Sequence, residues 1–116
     1  MSNESKNSVK FTGVKFRPAE ETFFTEQGEI VCIETIVECE SAIGLVLVAS
    51  LEIDHHEVVP SFPITLHPGV NKIAGPTAKI ANPRRYEEQR QCKYLLTLKF
   101  HNFADIVSFE DRISID

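Results

Sequence analysis

Hydrophobic and polar residues alternate with a period of two along most of the chain. In Cys92–Phe100, Cys92, Tyr94, Leu96, Leu98 and Phe100 hold one parity, and Lys93, Thr97 and Lys99 hold the other. That is the period of a β-strand with one dry and one wet face. Glu29–Glu40 repeats it, with Val31, Ile33, Val37 and Cys39 against Glu34, Glu38 and Glu40. So does Leu45–Asp54, with Leu45, Leu47, Ala49, Leu51 and Ile53 inward, and Ile106–Ile115, with Val107, Phe109, Ile113 and Ile115. Val9–Phe16 shows two short alternations around Thr12-Gly13, which predicts a strand broken by a bulge or turn. Pro18, Glu20 and Glu21 read as a connection, Gln27-Gly28 as a turn, and Asp54-His55-His56-Glu57 as a polar turn. Val58–Leu66 is extended but carries Pro60 and Pro63, which suits an edge strand. His67-Pro68-Gly69 turns the chain into the short pieces Val70–Ile73 and Lys79–Ile80 around Gly75-Pro76. Asn82–Gln91 reads as a charged loop. No stretch sustains a helical period. The pattern predicts an all-β sandwich of about seven strands in two antiparallel sheets. Residues 1–8 read as a disordered tail and 9–116 as one β-sandwich domain.

Four positions break the alternation on the wet side. With the stretches at 30–40, 45–54, 93–101 and 106–115 taken as the second, third, sixth and seventh strands, Val46 and Val48 on the third, Leu95 on the sixth and Ile106 on the seventh all point away from the expected core. In the common sandwich topology these three strands share a sheet. The four side chains are therefore expected to form one outer apolar stripe bordered by Lys93, Lys99 and Ser50, available to a partner or covered by a segment of the chain itself.

Size and charge narrow the function. A chain of 116 residues fits one domain that needs neither disulfide nor metal to fold. The net charge of −5 argues against nucleic acid and anionic membrane, both of which reward a basic surface. The polar start MSNESKNS has no apolar core of a signal peptide, and the longest apolar run, Ile43–Ala49, is too short to span a bilayer. A cytoplasmic protein is the expectation. The three cysteines, Cys32, Cys39 and Cys92, fit no zinc spacing.

The segments GLVLVASLEID, LHPGVN and KYLLTLKF follow one another as strand, turn and strand. In that order they resemble an immunoglobulin-like module of the kind appended to bacterial carbohydrate enzymes and polysaccharide exporters. IANPRRYEEQRQCKYLLTL is similar to the sandwich domain of β-galactosidase-like glycoside hydrolases. There an Asn-Pro pair precedes a Trp and a Tyr-Thr-Leu strand follows. Asn82-Pro83 and Tyr94-Leu95-Leu96-Thr97 match that pattern, while the chain has no Trp. The resemblance implies a sandwich and supplies no catalytic residue. In such a topology Cys39, ending the second strand, and Cys92, beginning the sixth, lie at opposite ends. Cys32 has the outward parity. The usual disulfide between sheets is then expected to be absent, leaving three free thiols.

Chemistry-bearing clusters are few. His55, His56 and a neighbouring His67 are metal-capable, but adjacent histidines on an extended chain point to opposite sides, and a solvated turn is the simpler expectation. Ser50 and Ser61 have no recognisable base partner, and neither a nucleophile motif nor a glycine-rich phosphate loop is present. No catalytic residue, metal or cofactor is expected. Asn82, Arg84, Arg85, Tyr86 and Arg90 form a possible ligand loop, with Glu87 and Glu88 as internal partners for the arginines. The leading expectation is a non-catalytic interaction module, a homo-oligomer or a partner-docking protein, using Val46, Val48, Leu95 and Ile106. The alternatives are a carbohydrate-binding module, which has no Trp and only two Tyr for stacking on sugars, and a small enzyme of unknown type.

Overall fold

A computed structural model of the chain describes residues 9–26, 28–81, 92–103 and 106–115, without the side chains of Glu20, Glu21 and Cys92. They form eight strands: β1 (Val9–Thr25), β2 (Gly28–Ser41), β3 (Leu45–Ile53), β4 (His56–Leu66), β5 (Gly69–Ala74), β6 (Ala78–Ala81), β7 (Cys92–Phe100) and β8 (Val107–Ile115). All pairings are antiparallel and make two sheets. One has the order β1-β2-β5, with β6 also on β2; the other has the order β4-β3-β7-β8. The protein is thus all-β, and the tail 1–8 and the loop 82–91 lie outside the described residues.

The core lies between the two sheets, and the alternation reports it accurately. Val31, Ile33, Val37 and Cys39 from β2 are buried together with Leu47, Ala49 and Leu51 from β3 and Leu96, Leu98 and Phe100 from β7. Tyr94, at the start of the same face, is only half-buried. Phe100 centres an aromatic group: its ring lies 4.7 Å from Phe11 and 6.1 Å from Phe109, centroid to centroid, in tilted and edge-to-face arrangements.

The bulge expected at Thr12-Gly13 is present as a register shift between Phe11 and Gly13. The connection expected at Pro18–Glu21 is instead a second irregularity inside one long strand. β1 resumes pairing at Thr22 opposite Val31 and runs to Thr25. Pro18 removes one donor, and the residues after it bulge out instead of ending the strand. The β1–β2 hairpin is therefore long. β2 has 14 residues, and the facing sheet is of similar length, because β7 runs on past the Ile53–Leu96 pair to Cys92. The molecule measures 54 × 24 × 22 Å accordingly.

At the opposite corner of the chain path, β3 and β4 are joined by two residues only, since Ile53 pairs with His56. Asp54 and His55 both have positive φ, 50° and 68°, as a two-residue turn matched to the strand twist requires. The polar turn is thus shorter than Asp54–Glu57, with His56 and Glu57 already in β4. β4 is an edge strand, as its prolines foretold.

Every terminal strand carries a device against pairing with another chain. β4 has Pro60 and Pro63, β1 has Pro18 and two register shifts, and β5 and β6 are one edge interrupted by Gly75-Pro76-Thr77. β8 is regular, but Asp111 sits at a core-facing parity, opposite Leu96. Its Oδ1 accepts from the Arg112 N–H at 2.9 Å. Arg112 pairs with Leu95, whose own N–H and C=O bond to Asp54 on the other side. The Arg112 N–H therefore points to the free edge of β8, where Asp111 occupies it. Replacing Asp111 by Val is expected to leave the fold intact and to produce edge-to-edge association. Sedimentation velocity of the D111V protein checks this; an unchanged profile would show that the carboxylate guards nothing.

Candidate functional site

The outer face of the β4-β3-β7-β8 sheet holds the positions singled out in the sequence, and the register places each of them. Ala49 pairs with Phe100 and Phe100 with Val107. One residue further along, Val48, His101 and Ile106 stand at one level, with Pro63 opposite Val48 on β4 and Val46–Thr65 as the next pair. Val46 is 50% exposed and Ile106 61%, while Val48 is half-buried among its neighbours. β3 runs past the end of β7 here, and the Asn102 side chain replaces the missing strand. Its Oδ1 accepts from the Val48 N–H, its Nδ2 donates to the Val46 carbonyl at 3.4 Å, and the His101 N–H donates to the Val48 carbonyl at 3.0 Å.

Leu95 does not join this cluster. It lies six residues from His101 along β7, roughly 20 Å away at ~3.3 Å per residue. Its neighbours are Arg112 across on β8 and Asp54 on the β3 side. The expected four-residue stripe is therefore two separate apolar spots, because alternation fixes the face of a residue but not its level. Leu95 is half-buried at the turn, where Asp54 bonds its backbone twice, donating to its carbonyl at 2.8 Å and accepting from its N–H at 2.9 Å.

Between the two spots the face is polar. Lys99 Nζ lies 2.8 Å from Glu52 Oε2. Ser50 Oγ lies 2.7 Å from His101 Nε2. Ser50 thus has a base partner that the sequence did not reveal, since the two are 51 residues apart and meet only through the β3–β7 register. Ser50 is 1% exposed. A substrate carbonyl has no approach to its oxygen, and the pair ties β3 to the end of β7. Thr97 is buried beside Glu52 and Glu110, with no hydrogen-bond partner for its Oγ1 among the described residues. A buried hydroxyl without a partner costs about 1–3 kcal/mol. Thr97→Val, which keeps the shape, is therefore expected to raise unfolding stability by about 1 kcal/mol, read from the urea midpoint. A loss of stability would mean that the hydroxyl is satisfied.

The outer face of the other sheet carries a shallow cavity of about 710 Å³ where β1 bulges, lined by Arg17, Pro18, Phe23, Cys32, Glu34 and Thr77 among others. Arg17 Nε lies 3.3 Å from Glu34 Oε2, both well exposed. The outward parity of Cys32 is as expected, yet the residue is buried on the floor of this hollow. Cys32 and Cys39 are free thiols. Burial raises the Cys39 pKa and so keeps this thiol protonated and unreactive. The Cys92 side chain lies outside the described residues, as do Asn82, Arg84, Arg85, Tyr86 and Arg90.

The histidines do not converge. His55 is in the turn and His56 begins β4, whereas His67 follows the other end of that strand, where Asn71 binds its backbone N–H at 3.0 Å and its carbonyl at 2.9 Å. Eleven residues of extended β4 separate the two ends by more than 30 Å at ~3.3 Å each, so His67 does not approach the turn as the sequence had suggested. No group of three metal-capable side chains occurs among the described residues. No protein-family model and no curated protein matches the chain.

Proposed function

We propose that the protein is a non-catalytic interaction module of the immunoglobulin-like class, which associates with a second copy through the outer face of the β4-β3-β7-β8 sheet. The strand order supports the class: β1, β2 and β5 on one side and β4, β3, β7 and β8 on the other is an arrangement that immunoglobulin-like sandwiches use. The observation that carries the function is the exposure of Val46 and Ile106 on either side of Val48, at the end of a face whose central positions are Ser50, Glu52, Thr97 and Lys99. The edges of both sheets are guarded, which leaves the faces as the surfaces for association. The free thiols Cys32 and Cys39 accord with a reducing, cytoplasmic setting. A sugar-stacking role finds less support. The exposed aromatics Phe23 and Phe24 are consecutive on a strand and face opposite sides, so they make no flat platform.

The test is the V46K/I106K double variant. Both residues are exposed and outside the core, so the melting temperature is expected to hold. The wild-type chain is expected to sediment as an oligomer and the variant as a monomer. A monomeric wild type, or a variant that assembles unchanged, would overturn the assignment.

A further inference from the structure

A partner that covers Val46 and Ile106 together must also cover His101. The sheet order places β7 between β3 and β8, and His101 stands at the level of Val48 on one side and Ile106 on the other. His101 is exposed. Its neighbour Asn102 is exposed too, but both ends of the Asn102 amide are bound to the β3 backbone, at Val48 and Val46. His101 therefore brings the titratable group of the patch. Histidine is the side chain that ordinarily changes charge between about pH 5 and 8.

Among the described residues, the groups around His101 offer an imidazolium no free counter-charge. On β3, Val48 and Ser50 flank it, and Glu52, one outward position further, is held by Lys99 at 2.8 Å. On β7 the next outward residue is Lys99 itself, of the same sign as an imidazolium. On β8 the neighbours are Ile106 and Ser108, with Glu110 beyond them at the level of Thr97. On β4, Pro63 and Thr65 lie opposite Val48 and Val46, and Glu57 stands at the level of Glu52. Asp105 precedes Ile106 and lies outside the described residues; carboxylates ordinarily ionise near pH 4, below the imidazole range. The His101 ring is tied to Ser50, whose Oγ lies 2.7 Å from Nε2. That bond survives protonation. A neutral Nε2 accepts from or donates to the hydroxyl according to its tautomer, and the protonated ring donates to it. Protonation thus adds a charge to the patch while the tie between β3 and the end of β7 stays in place.

We infer that His101 makes self-association through this face pH-dependent: copies associate while the imidazole is neutral and separate once it is protonated. The inference rests on this face being the self-association surface, and it names the regulation of that surface. A charge taken from water into an apolar contact without a partner is strongly disfavoured, so the proton must leave before the contact closes. By linkage, association then weakens about tenfold per pH unit below the ionisation of the ring, for each imidazole the contact covers. A two-fold contact covers one from each copy.

Sedimentation velocity of the full chain at about pH 8 and about pH 5.5, on either side of the ordinary imidazole range, tests this at constant ionic strength. The wild type is expected to associate at least about tenfold more weakly at the lower pH, with its circular dichroism unchanged. His101→Gln keeps a polar side chain beside Ser50 without titrating, and is expected to associate equally at both pH values. His101→Lys carries a fixed charge and is expected to associate weakly at both. Equal wild-type association at the two pH values overturns the inference. So does an H101Q protein that keeps the wild-type pH dependence, which would place the titration elsewhere, as at His67 beyond the end of β4. Loss of the sheet signal at the lower pH overturns it as well, since dissociation would then follow unfolding. The V46K/I106K variant separates the switch from the surface. If that variant is monomeric at the higher pH while the wild type assembles alike at both, the surface stands and the switch falls. If it assembles as the wild type does, or if the wild type is monomeric at both pH values, the surface falls and the switch with it.

Discussion

Phe100→Ala is expected to cost about 3–5 kcal/mol of unfolding stability, the usual range for removing a fully buried aromatic ring. Phe100 ends β7, has no solvent exposure, and joins the two sheets through rings on three strands: its own, Phe11 on β1 and Phe109 on β8. Phe11 also touches Phe103 at 6.0 Å and Phe109 at 5.1 Å. The loss includes the tilted contact with Phe11 and the edge-to-face contact with Phe109, each worth ~0.5–1.5 kcal/mol beyond the buried area. A domain of this size has about 5–15 kcal/mol in all, so the variant should unfold at a far lower urea concentration. A shift corresponding to less than about 1 kcal/mol would mean that the rings are not packed as described.

How much of this was legible in the sequence follows from what alternation encodes. A period of two states which side of a strand is dry, and it placed Val31, Ile33, Leu47, Leu51, Leu96 and Leu98 in the core. It also found the long β2, the edge character of β4 through its prolines, and the bulge at Gly13. It cannot state the register between strands, because that is set by turns distant in sequence. Leu95 and Val48 were thus correctly assigned to one face and wrongly assigned to one spot. The Ser50–His101 pair stayed hidden for the same reason. The continuation of β1 to Thr25 was obscured by Pro18 and the acidic pair after it, which read as a connection when they are a bulge inside a strand.

The glycine of the interrupted edge gives the second large effect. Gly75 follows β5, where the chain leaves β2 for three residues before β6 resumes, and its N–H donates to the Thr35 carbonyl at 2.8 Å. A methyl group on Gly75 would stand 3.1 Å from Thr35 Cγ2, 3.2 Å from Thr35 Cβ and 3.5 Å from Val37 Cγ2. Thr35 is 1% exposed and Val37 fully buried, both on the central strand β2 with partners on either side. Neither side chain has room to retreat, so the backbone at Gly75 must move and weaken its bond to Thr35. Gly75→Ala is expected to cost about 1–3 kcal/mol, as overpacking does. Thr35→Ser removes the nearest methyl group, though not the Cβ at 3.2 Å, and should absorb part of that cost in the double variant. Thr35→Val keeps the methyl group while deleting a hydroxyl that has no hydrogen-bond partner among the described residues, so Gly75→Ala should remain costly in that background. Urea denaturation of the single and double variants measures the coupling. If the Gly75 and Thr35→Ser effects add to within about 0.5 kcal/mol, as they do for sites that are not in contact, the close approach at this break in the sheet is not what constrains Gly75.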